Sequence, residues 1–420
     1  MESEGAGLDE RNPRPEHVSE AARKGILVPA CRKRRRVMRY GILMVQRKAR
    51  LNIGLVVLSC MAAMGRAGGH QAWAQSVSAH TGKAMMADER RDKNDLKAVQ
   101  EAQRGVELAH QGRYEEAIVH YRAAAKLDPT LPGIHLDLGL AYFKMKKLNE
   151  AASALARAVR ASPRNFQARA LLGMCYYGLR KFADAAVQLK QASRDQPGNV
   201  QLHYLLAQSY LWSQQYQSAA SEFRFLLEKD PDAAAVHMLL GEALDGLGRD
   251  DEAIREFRAA VGASPPAPQA HFALGYVYWR QRKFAEACPQ FEAQLDTEPD
   301  DTQSLTYLGD CEMKLGDTQK AEKHLRQALK LGAKLHIGEL DLGILLVRQG
   351  QKAEAERHFR EAIRLDPSDP DAHYHLGRLL ISMGRRKEAA EEFTQVRKLA
   401  EKKSPPPLAG RMGGASGEHK

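Results

Sequence analysis

Five cysteines in 420 residues are too few for a disulfide framework. No apolar stretch reaches the ~18 residues expected of a spanning helix, which excludes a multi-spanning membrane protein. Eighteen prolines and 33 glycines are ordinary usage, so collagen-like and low-complexity chains are excluded too. The sequence also lacks a phosphate loop, a zinc spacing, a nucleophile elbow and a paired-carboxylate motif. Nothing in it asks for a cofactor or a metal, and a non-enzymatic role is the expectation. What is present, 27% charged and 44% hydrophobic residues, describes a foldable chain.

The net charge of +11 suggests nucleic acid until it is placed along the chain. Residues 1–97 carry 19 Lys and Arg against 10 Asp and Glu, whereas residues 98–403 carry 42 against 41. The central region is balanced, which removes the nucleic-acid reading. The basic excess, in Arg32–Arg36 and in Arg47, Lys48 and Arg50, precedes the apolar stretch Leu51–Gly65, and Ala72-Trp73-Ala74 follows it. A positive segment, an apolar segment and a small-residue cleavage site make residues 44–74 a signal peptide and the protein an exported one, periplasmic or secreted. The mixed-charge preface 1–43 makes Met44 the natural start. Two other uses of the segment stay open: lipid attachment at Cys60, where Val57-Leu58-Ser59-Cys60 loosely resembles a lipobox, and an uncleaved membrane anchor. A polar linker is expected over 75–97 and a disordered Pro- and Gly-rich tail over 404–420. Cys175, Cys288 and Cys311, downstream of the cut, read as small buried hydrophobes.

Residues 98–403 repeat with a period of 34. Pro129, Pro163, Pro197, Pro231, Pro265, Pro299 and Pro367 keep that register, with Ala333 at the skipped place. A second column is Ala117, Ala151, Ala185, Ala219, Ala253, Ala287, Ala321, Ala355 and Ala389. A third is Gly in every repeat but one, from Gly105 to Gly377, with Ala207 as the exception. A fourth is always bulky, as in Tyr121, Leu155, Phe223 and Phe359.

These columns resemble the tetratricopeptide repeat, nine copies in tandem, most clearly over 132–165, where Leu138, Gly139, Tyr142, Ala151, Leu155, Ala158 and Pro163 all fall in place. The resemblance implies an all-α, right-handed superhelical solenoid of helix-turn-helix units that binds other proteins. At roughly 100° per residue, positions 4, 7, 8 and 11 share one face of a first helix and 17, 20, 24 and 27 one face of a second. A helical Gly costs about 0.5–1 kcal/mol relative to Ala, so the Gly at position 8 requires a close neighbour, expected to be the Ala at position 20. Gly112, Gly248, Gly316, Gly350 and Gly384, at position 15, suit a left-handed cap. Pro289 inside a second helix predicts a kink, Ala333 in place of Pro a smoother or a looser junction, and Arg104 a polar first repeat.

The first helices of such a solenoid line a concave groove, where positions 2, 5, 9, 12 and 13 point away from the packing face. In the fourth to sixth repeats these positions supply the candidate ligand-binding residues Gln201, Tyr204, Gln208, Trp212, Met238, Glu242, Phe272, Tyr276, Trp279 and Arg280. Exposed aromatic and Met side chains would offer contact area, with carboxylates and Arg280 setting polarity. Exposure is expected for Tyr204, Trp212 and Tyr276, while Leu211 and Trp279 fit packing as well. Charge adds a dipole: residues 132–199 hold 11 basic against 4 acidic residues and 200–301 hold 8 against 16.

The occupant expected is a peptide or protein segment. The alternatives are a glycan, stacked on Trp and Tyr faces in polysaccharide export or envelope assembly, and service as the substrate-selecting subunit of a separate enzyme. The carboxylate clamp of chaperone-binding members is missing, since its places hold Leu136 and Leu140, Tyr204 and Gln208, or Phe272 and Tyr276. His135, His203, His237, His271 and His373 share position 4, but first helices ~10 Å apart cannot bring three imidazoles to one metal ion. They read as packing residues with a polar edge.

Overall fold

The computed structural model describes residues 89–403, and all the regular structure among them is helical. The helices run in pairs: α1 (Glu89–His110) with α2 (Tyr114–Leu127), α3 (Ile134–Lys144) with α4 (Leu148–Ala161), and α5 (Phe166–Gly178) with α6 (Phe182–Asp195). Next come α7 (Val200–Trp212) with α8 (Tyr216–Leu227), α9 (Ala234–Leu247) with α10 (Asp250–Gly262), and α11 (Ala270–Arg280) with α12 (Phe284–Thr297). The last three pairs are α13 (Thr302–Leu315) with α14 (Thr318–Lys330), α15 (His336–Arg348) with α16 (Lys352–Leu365), and α17 (Pro370–Ser382) with α18 (Arg386–Lys403). Each pair is one repeat and touches mainly its neighbours, which makes the molecule a solenoid. Part of the expected linker is helix: α1 starts at Glu89, because the stretch 89–97 contains neither Gly nor Pro and is mostly charged helix formers.

The Gly column has a different neighbour from the one expected. A Cβ on Gly139 would lie 2.5 Å from Leu155, and one on Gly241 2.5 Å from Phe257. The crowding comes from the bulky residue at position 24, which lies across the first helix where the glycine is, rather than from the Ala at position 20. Position 15 is left-handed in all nine repeats: the five glycines have φ of 76–94°, and Lys146, Arg180, Gln214 and Arg282 adopt 60–65°. The residue before the Pro leaves the helical region, as at Asp128 (φ −135°, ψ 98°) and Glu298 (φ −131°, ψ 79°). Asn165, Asn199, Asp301 and Asp369 close the next first helix by accepting its free N–H groups. At the Ala333 junction, left-handed Gly332 (φ 85°) ends α14 instead. α12 continues through the exposed Pro289 as one helix.

The core follows the inner faces of the pairs. One apolar cluster runs from Ala98 to Cys311 and another from Leu340 to Ala389, with a small group around Leu325 between them. Cys175, Cys288 and Cys311 are buried free thiols within this packing. Cys31, Cys60 and the proposed signal peptide lie outside the described residues.

Candidate binding groove

The ten candidate side chains do fall along adjacent first helices, but five are buried. Met238, Glu242, Phe272, Tyr276 and Trp279 are 8, 8, 6, 1 and 7% exposed, and Leu211 is 5% exposed. The expected exposure of Tyr276 is therefore wrong, and for Trp279 and Leu211 packing is the correct reading. First helices touch their successors, so positions 5, 9 and 12 form the seam between repeats. The centre of that seam is Tyr307, which sequence reasoning missed. Its ring lies 6.0 Å from Phe272, 5.4 Å from Tyr276 and 4.8 Å from Trp279, while Trp279 Nε1 donates to Asp310.

The polarity expected of the groove changes as well. Burial, with the nearby Asp245 adding to it, pushes the Glu242 carboxyl up to about 8, so near neutral pH it carries no charge to set the groove's polarity. The Arg280 side chain is 5% exposed, and its Nη2 lies 2.5 Å from Asp245 and 2.6 Å from Asp250. A second charged set occupies the junction of the seventh and eighth repeats, where the partly exposed Lys314 Nζ sits 3.1 Å from the buried Asp310 and 3.8 Å from the buried Asp341. Burial and the adjacent Asp310 hold Asp341 well above the usual carboxylate range.

Gln201, Tyr204, Gln208 and Trp212 remain half-buried. Tyr177 donates to Gln208 Oε1 at 2.7 Å, and Trp212 rests on Phe182 with ring centroids 6.3 Å apart. Gln201 and Tyr204 line a cleft of about 210 Å³ with Leu226, Val236 and Val200, and Val200 is 45% exposed. Val200 and Gln201 also border a shallower opening of about 510 Å³ beside Asn199. These two hollows lie at the start of α7, and each has room for a side chain.

Position 13 meets position 17 of the preceding repeat wherever the contact is resolved. A Cβ on Gly178 would meet Leu148 at 2.7 Å and one on Gly246 would meet Tyr216 at 2.7 Å, Trp212 packs on Phe182, and Arg280 pairs with Asp250. A small residue faces a large one, a ring faces a ring, and a cation faces an anion. Reading the two columns together in the sequence would have placed Trp212 and Arg280 as seam residues.

The histidine column also has a partner. Position 4 faces position 23 of its own repeat: His203 Nδ1 lies 2.7 Å from Glu222, His237 2.7 Å from Glu256, His373 2.6 Å from Glu392, and His271 3.0 Å from Gln290 Oε1. In the first and eighth repeats the pair is exchanged, with Glu101 facing His120 and Glu339 facing His358, both at 2.7 Å. The other ring nitrogen of His203 and of His237 faces the carbonyl of Pro197 or Pro231, which joins one repeat to the next.

Sequence models of the tetratricopeptide repeat match residues 105–146, 143–209, 204–268, 270–305, 300–368 and 340–404. No curated protein matches the chain. Among solved structures, YrrB, described as a TPR protein with an unusual peptide-binding site, is 22% identical over 44% of this chain and 95% of its own (TM-score 0.37). MamA from Desulfovibrio magneticus RS-1 is 20% identical over 41% of this chain and 98% of its own (TM-score 0.36). Yeast Tom70 is 15% identical over 73% of this chain and 92% of its own (TM-score 0.35).

Proposed function

The chain belongs to the tetratricopeptide repeat family, and we propose that it is an exported, non-enzymatic scaffold that holds a peptide or protein segment in its groove. Its protein-interaction role follows from the family. The observation that supports the finer reading is the cleft of about 210 Å³ at Gln201 and Tyr204, which opens beside the exposed Val200. An apolar side chain of the partner enters that cleft, while Gln201 and Asn199 offer hydrogen bonds to its backbone. Phe272, Tyr276 and Trp279 present no ring face to a sugar, which leaves the glycan reading with Tyr204 and Trp212. Export rests on residues 44–74.

A photo-reactive residue at position 201 should capture the partner in cells, and Tyr204→Ala should abolish capture. Retained capture in that variant, or no capture at all, would reject the cleft as the site. Sequencing the N-terminus of the mature protein should give Gln75 first, and an unprocessed Met1 or Met44 would remove the export proposal.

A further inference from the structure

The second repeat breaks the pairing of positions 4 and 23. His135 is present, but its counterpart is Ala154, so this repeat supplies no carboxylate of the kind that Glu222 and Glu256 bring to the ring. A cavity of about 430 Å³ opens there between α2, α3 and α4, lined by His135, Tyr142 and Ala154 and rimmed by Arg122, Lys126 and Arg157. That volume lies in the range of small-molecule sites, about 300–1,000 Å³. Glu150 is the single acidic residue in the lining, against three cations. His135 Nδ1 is buried without a partner, while the ring is bonded to the Pro129 carbonyl on the preceding loop. Burial lowers the pKa of the ring, and Arg157 and Arg160 lower it further. Arg122 lies 5.5 Å from the centroid of Tyr142, which holds its guanidinium at the rim.

The other repeats show which group suits this place. At 2.6–2.7 Å from the same ring nitrogen, four repeats hold a carboxylate oxygen facing a position-4 or exchanged position-23 histidine, and a fifth does the same at His373. We propose that the cavity beside His135 binds an organic carboxylate, with one oxygen on His135 Nδ1 and its charge against Arg122, Lys126 and Arg157. The ring takes a proton from solvent onto Nδ1 as the anion arrives, and both nitrogens then donate, to the ligand and to Pro129. The site lies apart from the cleft at Tyr204 and does not depend on that reading.

The test titrates glutarate, a short Glu-rich peptide and sulfate, each at millimolar concentration, into the folded chain. Thermal unfolding and the ¹⁵N resonances of the His135 ring are followed. The expected result is a rise in Tm and a shift of the ring resonances to the protonated form with glutarate or with the peptide. Response to glutarate identifies a small free acid as the ligand type, and response to the peptide alone identifies an acidic segment of a partner. Ala154→Glu supplies the missing carboxylate internally, so it should raise Tm without ligand and eliminate the response. Ala154→Gln, which copies Gln290, is the second blocking variant should the first fail to fold. Absence of any response in the unmodified chain, an equal response to sulfate, or a response that survives both substitutions would overturn the proposal.

Discussion

Glu242 holds its proton up to about pH 8 in the folded chain because it is buried and Asp245 is near, whereas an unfolded glutamate releases it at about 4.3. Between those values the folded state binds more protons than the unfolded one, so its contribution is complete below about pH 4 and is lost as pH rises through about 8. Glu242→Gln should flatten that dependence and be the more stable form near pH 8.5, by a difference on the order of 1–3 kcal/mol. Urea unfolding at both ends of the range measures it, and parallel pH profiles for the two proteins would contradict the assignment. Gly139→Ala illustrates overpacking. Its Cβ would fall 2.5 Å from Leu155, and a loss of about 1–3 kcal/mol is expected in the same assay. Ala207 stands at the same place in the fourth repeat and is fully buried, so that one unit accommodates the methyl group that the others exclude.

Among the helices, the non-glycine residues in left-handed turns invite substitution. Arg180 and Lys146 have φ near 60°, a conformation that strains an L-residue. Arg180→Gly relieves that strain at the cost of a more flexible unfolded chain, and a net gain of about 0.5 kcal/mol is expected in Tm or urea midpoint. Asn165→Ala removes the acceptor for the Ala168 N–H and should cost about 1 kcal/mol. Helix order, the repeat register and the five glycine turns at position 15 were legible in the sequence, because each rests on a contact or backbone conformation internal to one repeat, whereas the same turn at Lys146, Arg180, Gln214 and Arg282 has no glycine to mark it. The groove was less legible. An angular count on one helix places Asp245 beside Glu242, but it cannot show that the pair is buried, nor that Tyr307 of the next first helix covers Phe272, Tyr276 and Trp279. Positions 4 and 23, by contrast, were readable as a pair, since the exchange of His and Glu between Glu101/His120 and His203/Glu222 is visible in the sequence alone.

Along the entire solenoid the core changes character between the seventh and eighth repeats. Asp310, Lys314 and Asp341 occupy the seam there, the Pro that stiffens other junctions is Ala333, and Leu331 is 43% exposed. A seam that buries two carboxyl groups, Asp310 and Asp341, against a partly exposed lysine gains less from burial than one built of rings. The last two repeats should therefore open before the first seven. Limited proteolysis is expected to cut first near Leu331–Lys334, and hydrogen exchange should be faster in α15–α18 than in α7–α12; uniform protection from end to end would contradict this.

The contact between position 13 and position 17 of the preceding repeat carries an evolutionary consequence. Gly178 fits beneath Leu148, Trp212 against Phe182, Gly246 against Tyr216, and Arg280 against Asp250, so the third to sixth repeats are each cut to match the one before. Nine copies with identical edges would be interchangeable. These matched edges make their sequence directional, and a shuffled gene that moved the Trp212 unit behind Tyr216 of its own kind would bring two large rings to a place built for Gly246.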